Sequence, residues 1–372
     1  MTRRVRLAEV AAHAGVSVSA VSLVMTGKDA GNIAPATRDR ILASARELDY
    51  RPNSVAQSLR KQRSHAVGLV TDAIATSPFA GRIIGGAMDT AAERGYVLLL
   101  FDSQDRREEE AEGMAELARR QVDGFLYATM SLVELATPPP TTLPLVLANC
   151  YVGGEPTGGV AVPAVIPDDL EGGRAAAEHL LALGHRRIVM LSAPGAGRRS
   201  GPGGFPIVGN ASGPLRAQGF VAALTEAGVA RPERAVRVCG WDIDDGYAGA
   251  MAVLAGADGQ ALPERERPSA IFAVTDRSAA GVILAAARLG LDVPRDLSVV
   301  GFDDQEALAE RLSPPLTTCA LPHRAMGEVA MSWLLDGLAT GGSRREIVAR
   351  DAVHRLACPL IVRSSTAAAP TP

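Results

Sequence analysis

The chain has 372 residues, enough for two or three compact units with real hydrophobic cores. Its make-up, 47% hydrophobic, 21% charged and 4% aromatic, excludes global disorder and a small disulfide-stapled scaffold. The net charge of −3 conceals an asymmetry: residues 1–63 hold eleven Lys and Arg against five Asp and Glu, leaving −9 on the remainder. A basic head on an acidic body is what a polyanion-binding module joined to a regulatory or catalytic body looks like. No apolar run approaches the ~20 residues of a membrane span, and the opening MTRRVRLAEVAAHAG lacks the apolar core of a signal peptide. A cytoplasmic location is therefore expected. Cys150, Cys239, Cys319 and Cys358 stand far apart without metal-ligand spacing, and are read as reduced, buried small hydrophobes.

In chain order, residues 6–50 predict three short helices. Leu7, Val10, Ala11 and Ala14 follow helical spacing, and Gly15 supplies a turn. Ser17 caps a second helix that turns Val21, Val24 and Met25 inward and Val18, Ser19, Ser22 and Leu23 outward. A third helix starts near Pro35 and buries Ile41, Leu42, Ala45 and Leu48. This is a helix-turn-helix plan, in which the second helix must be slim on its outer face to enter a major groove. Residues 53–63, NSVAQSLRKQR, make an amphipathic piece of about two turns, too short to be stable alone.

From Ala66 onward apolar strands alternate with amphipathic helices. The strands are AVGLVTD, YVLLLFDS, GFLYAT, LPLVLANC, RIVMLSA, AVRVCGW, AIFAVTD and LSVVGFDD; the helices are 79–94, 107–120, 172–183, 215–228, 244–255 and 278–289. That is the signature of doubly wound parallel sheets, and some 300 residues suit two of them. The Gly/Pro/Ser-rich stretch 194–214 is read as one long mobile loop, and the tail 364–372 as disordered.

Signatures of enzymes are missing: there is no GxxxxGK[ST], GxSxG or HExxH, and the six histidines are scattered. No cofactor and no metal are expected. What stands out is the row of polar residues closing the strands: Asp72, Asn149, Trp241, Thr275, Asp276, Asp303 and Asp304. Ligands of open α/β sheets bind at the carboxyl ends of strands, and short acceptors beside a Trp suit a polyhydroxylated ligand. Each Asp taken singly could instead cap the helix that follows it.

Across nearly its whole length the chain resembles the LacI/GalR bacterial transcription regulators. The motifs are RLAEVAAHAGVSVSAVSLVMTG, the hinge-like RPNSVAQSLR, and SPFAGRIIGGAMDTAAERGY, EGGRAAAEHLLALGHRRI, LSVVGFDD and SPPLTT in the body. The resemblance implies a non-enzymatic repressor, a homodimer on a palindromic operator, with a periplasmic-binding-protein-like core that closes on a small effector, most simply a sugar. It implies a helix-turn-helix head over 1–51, a hinge over 52–64 and a core over 65–363. Within the core it is read as a first lobe of 65–166 plus 296–320 and a second lobe of 167–295 plus 321–363. The implied operator contacts are Arg6, Ser17, Val18, Ser19, Ser22 and Leu23, with Asn53, Ala56, Leu59 and Arg60 in the hinge. Leu59 would be an apolar wedge that kinks DNA. Leu23 stands where the family usually has Arg, and Ala34 where it usually has a capping Ser. The implied effector contacts are Asp72, Phe79, Asn149, Arg216, Trp241, Thr275 and Asp303. A sugar-binding or sugar-modifying protein on the same core, without a regulatory role, is the competing reading.

Overall fold

The computed structural model describes residues 5–50, 63–77, 79–153, 162–195, 205, 207–340 and 353–370. The chain forms two compact units, Met1–Ser64 and His65–Pro372.

In the smaller unit, α1 (Leu7–Ala14), α2 (Val18–Met25) and α3 (Pro35–Glu47) enclose Val10, Ala11, Ala14, Val21, Val24, Ile41 and Ala45. Gly15, at φ +64°, adopts the left-handed turn that ends α1, a conformation that costs a residue without Cβ least. The Ser17 hydroxyl then accepts from the Ala20 amide at 3.1 Å and starts α2. Ala34 gives α3 no side-chain cap. Asparagine 53, alanine 56, leucine 59 and arginine 60 (Asn53, Ala56, Leu59, Arg60) lie outside the described residues.

The larger unit contains two sheets. The first joins β1 (Ala66–Thr71), β2 (Val97–Asp102), β3 (Gly124–Leu135), β4 (Leu145–Val152), β5 (Ala164–Pro167) and β12 (Val353–Leu356) in the order β12-β5-β4-β3-β1-β2. A short β7 (Ile207–Asn210) runs antiparallel beside the end of β3. The second sheet joins β6 (Ile188–Ser192), β8 (Val236–Val238), β9 (Ala270–Ala273), β10 (Ser298–Asp303), β11 (Thr317–Ala320) and β13 (Leu360–Ile361) in the order β13-β11-β10-β9-β6-β8. Central strands such as β9 and β10 are buried throughout, which is why they read as unbroken apolar runs.

Helices cover both faces: α4 (Gly81–Glu93), α5 (Glu110–Arg119) and α10 (His323–Ala339) on the first sheet, α6 (Asp169–Ala182), α7 (Ser212–Glu226), α8 (Ile243–Leu254) and α9 (Asp276–Arg288) on the second. Three helix pairs meet backbone to backbone through glycine. A Cβ on Gly219 of α7 would stand 1.9 Å from the Leu170 carbonyl oxygen of α6, and one on Gly173 of α6 would stand 2.1 Å from the Arg216 oxygen. Gly246 and Gly281 do the same for α8 and α9, and Gly86 and Gly327 for α4 and α10.

Three expectations are corrected. First, residues 298–303 and 317–320 belong to the second sheet, because β10 pairs with β9, and α10 with β12 belong to the first. The assignment of 296–320 to the first lobe and all of 321–363 to the second is thus inverted up to Leu356; β13 alone keeps the expected lobe. Strand order along the chain does not say which sheet a strand joins when the chain crosses between lobes more than once. Second, the end of the 194–214 stretch is regular: β7 takes 207–210 and α7 begins at Ser212. Third, residues 363–370 are docked rather than disordered. Ser365 is fully buried, its carbonyl accepts from the Val299 amide at 2.8 Å, and the Ala369 amide donates to Leu183 at 2.8 Å.

Candidate functional site

The residues expected to face an operator from α2 differ in exposure. Val18 is 46% exposed, Ser19 is exposed, and Ser22 and Leu23 are half-buried on the outer face of α2. Ser17 is exposed at its start, and the Arg6 amide is capped by the Glu9 carboxylate at 2.9 Å.

The core has a cleft of about 50 Å³ between the sheets, lined from the middle of β3 and β4 and the carboxyl end of β10. Phe79, Asn149, Arg216, Trp241, Thr275 and Asp303 all line it. These six come from distant parts of the chain because the ends of both sheets face one another. Asp72 is the exception and is corrected: it does not line the cleft. Its Oδ1 accepts from the Ala73 amide at 2.7 Å and the Met130 amide at 2.9 Å, so the carboxylate ties the end of β1 to β3.

Arg216 is the electrostatic centre. It is 3% exposed; its Nε donates to Asp169 Oδ1 at 2.6 Å, and its Nη1 donates to the Val274 carbonyl at 2.6 Å and lies 3.5 Å from Asp303 Oδ1. The guanidinium stacks 3.6 Å from the Phe302 ring centroid. Two carboxylates thus face one cation. Burial dominates both, lifting Asp169 above the ordinary carboxyl range and Asp303 well above it, against the pull of Arg216. Asp276, expected at the cleft, lies beneath it: fully buried, it accepts from the Gln305 amide and the Thr318 hydroxyl, each at 2.6 Å, and burial pushes its carboxyl up to about 7.

The polar groups at the cleft are directional. The Asn149 amide donates to the Thr129 and Met130 carbonyls at 2.9 and 3.0 Å, which orients its Oδ1 as the acceptor left for a ligand. The Thr275 hydroxyl donates to the Trp241 carbonyl at 2.8 Å and accepts from the Ser278 amide at 3.0 Å, capping α9. Trp241 and Phe79 supply flat apolar faces. His323 stands behind Phe79, ring centroids 5.5 Å apart, and burial drives its pKa down to about 3, so it is neutral there.

Sequence reasoning missed Ser131, Ser212 and Leu321 in the lining, and Asp169 and His323 behind it. Ser212 was findable, since it lies one turn before Arg216 on the same helix. Asp169 was not, because only the fold brings the start of α6 to the start of α7.

Comparison with known proteins bears on both units. Residues 6–53 match the bacterial regulatory proteins of the lacI family, and residues 177–366 match the periplasmic binding protein-like domain. The chain is similar to the HTH-type transcriptional repressor PurR of Yersinia enterocolitica, 31% identical over 365 residues that cover 97% of each chain. Among solved structures it is similar to the lac repressor dimer bound to operator and the anti-inducer ONPF, with a TM-score of 0.76 and 26% identity over 98% of this chain and all of that one. It is also similar to the complex of transcriptional regulator CelR with cellobiose, with a TM-score of 0.61 and 28% identity over 97% of this chain and all of that one.

Proposed function

The chain belongs to the lacI family of bacterial regulatory proteins and is a DNA-binding transcriptional repressor under small-molecule control, and from that premise we propose that its effector is a neutral, hydroxyl-rich compound held in the cleft. It is not an enzyme. The observation that carries the ligand class is the Arg216 guanidinium already matched by Asp169 and Asp303. An anionic ligand would add charge to a site whose single lining cation among the described residues is balanced, whereas a polyol meets acceptors at Asp303 and Asn149 with ring faces at Trp241 and Phe79. The CelR complex with a neutral sugar supports this class.

On the DNA side the reading is a homodimer on a palindromic operator. The lac repressor neighbour is a dimer on its operator, which supports the dimer here. Arg6, Ser17, Val18, Ser19, Ser22 and Leu23 are the proposed contacts of each head, with Asn53, Ala56, Leu59 and Arg60 of the hinge beside them. A protein that acts on operator DNA is expected to do so in the cytoplasm. A sugar-binding protein with no regulatory role is disfavoured, because the PurR and lac repressor matches cover head and core together.

A thermal-shift panel of neutral monosaccharides, cellobiose and nucleosides beside their phosphorylated and carboxylated counterparts tests the ligand class. A ligand at 100 times Kd adds about 2.7 kcal/mol, an easily read rise in Tm. The expected hits are neutral compounds; a phosphorylated or carboxylated compound as the tightest binder would overturn the assignment.

A further inference from the structure

The backbone that presents Asp303 to the cleft is held in a conformation side-chain-bearing residues rarely adopt. Asp303 has φ +118° and Asp304 φ +49°, two successive non-glycine residues on the positive side. Such a pair persists only when its surroundings over-determine it. Besides a 3.4 Å donation from the Asp304 amide to the Thr318 hydroxyl, the turn is fastened at three places. The Leu321 amide donates to the Asp303 carbonyl at 3.1 Å, from the start of the crossover after β11. Asp276 accepts from the Gln305 amide at 2.6 Å. The third fastening comes from the far end of the chain: Arg363 Nη2 donates to Asp304 Oδ1 at 2.7 Å.

Arg363 is itself firmly placed. Its Nη1 donates to the Leu316 carbonyl at 2.9 Å and its backbone amide to the Thr317 hydroxyl at 2.9 Å. Behind it Ser365 is locked into the second sheet: its hydroxyl donates to the Val299 carbonyl at 2.6 Å and accepts from the Thr317 amide at 2.8 Å. Thr366 reaches His179 at 3.0 Å, and the Ala367 amide donates to Ser298 at 3.0 Å. A segment of Ser, Thr and Ala, with little apolar surface of its own, is thus docked almost wholly by hydrogen bonds. Its one long side chain directed at the turn, Arg363, grips the residue next to a cleft carboxylate.

We propose that residues 363–369 form a strap whose Arg363 is a positioning residue of the effector cleft: it holds the left-handed Asp303–Asp304 turn and thereby aims the Asp303 carboxylate at Arg216 and the ligand. The consequence for ligand binding rests on the reading of the cleft given above; the hold on the turn does not. A strap of this kind makes the cleft sensitive to loss of the chain's last ten residues, although none of them lines it among the described residues.

The test compares full-length wild type, Arg363→Ala, Arg363→Lys and Thr366→Val. The last variant loosens the strap away from the turn and reports what mere undocking does. Hydrogen exchange is read in the peptides that contain the Gln305 and Leu321 amides. Arg363→Ala is expected to speed exchange there at least tenfold while β9 and β6 keep wild-type protection, with Arg363→Lys closer to wild type because it keeps a charge against Asp304. Unchanged exchange at the turn, or an equal rise across the whole second sheet, overturns the proposal. In a second arm D-ribose, D-glucose, cellobiose and adenosine are run by thermal shift on each variant. Any compound that stabilises wild type should stabilise Arg363→Ala less than half as much and Thr366→Val nearly fully. Equal stabilisation of wild type and Arg363→Ala overturns the cleft role. A panel without a binder, alongside a loosened turn, supports the strap and counts against the ligand class instead.

Discussion

Arg216 and Asp169 form a 2.6 Å ion pair in which the arginine side chain is 3% exposed and the aspartate side chain fully buried. The pair joins the first turn of α6 to the second turn of α7 at the wall of the cleft, and Asp303 approaches the same guanidinium from β10. Removing one member of a buried ion pair typically costs about 3–5 kcal/mol, because the remaining charge keeps its desolvation penalty. Arg216→Ala should therefore destabilise the core by an amount in that range at pH 7.5 and by less at a more acidic pH, since burial already lifts both carboxyls above their ordinary range and the variant leaves them without their cation. Urea unfolding at the two pH values checks this; an equal and small loss at both would mean the pair is energetically idle.

Asp276 gives the wild type a pH dependence of its own. A carboxyl whose folded-state pKa is raised, here to about 7, is protonated more tightly by the native than by the unfolded chain. Its stabilising effect is fully present below about pH 4 and is lost as pH rises through about 7. Buried His185 and His323 are shifted the other way, so they remove stability as pH falls below about 6.5 and are silent above it. Between pH 6.5 and 8 only the carboxyl trend operates among these groups, and stability should drop by roughly 1 kcal/mol. In Asp276→Asn the drop should shrink, while Asp303, whose carboxyl burial also raises, keeps its own part. A wild type equally stable at both pH values, or a variant with the same slope, would contradict the assignment.

Gly219→Ala tests how Arg216 is placed. The new methyl would stand 1.9 Å from the Leu170 carbonyl oxygen, so α7 must retreat from α6 and carry Arg216 with it. Overpacking of this kind costs about 1–3 kcal/mol. The variant should also bind cleft ligands more weakly than its stability loss alone explains. A denaturation midpoint unchanged from wild type would show that the helices can part freely.

The ends of the strands were legible because buried parallel strands are unbroken apolar runs and the polar residue that stops each run marks its carboxyl end. Asn149, Trp241, Thr275 and Asp303 were found that way, while Arg216 and Phe79 came from resemblance. Asp72 obeyed the same pattern and still failed, since a carboxylate at a strand end can bind backbone amides as readily as a ligand. Lobe membership of β10, β11 and α10 was not legible, because either sheet could have accepted such apolar elements. The strap was misread as disorder from its Ser, Thr, Ala and Pro content. Composition reports apolar burial, whereas Ser365 and its neighbours dock through hydrogen bonds to β10 and β11.

Operator affinity should depend steeply on salt, since residues 1–63 carry a net +6 and a dimer brings two such heads to the DNA. A slope of log K against log salt on the order of −5 or steeper corresponds to six or more neutralised phosphates. A slope near zero would mean that the basic head does not meet the DNA backbone.

The coupling between cleft and operator is the central claim, and it is measured by titrating the full-length protein with a palindromic site obtained by in vitro selection, with and without the tightest compound of the thermal-shift panel. Coupling of about 1–3 kcal/mol changes the operator Kd by 5-fold to 150-fold, and linkage requires the operator to change the ligand Kd by the same factor. The account predicts such a reciprocal shift in wild type and its loss in Arg216→Met, with salt-sensitive operator binding retained. An operator Kd that the ligand leaves unchanged in wild type, although the ligand is bound, would contradict it.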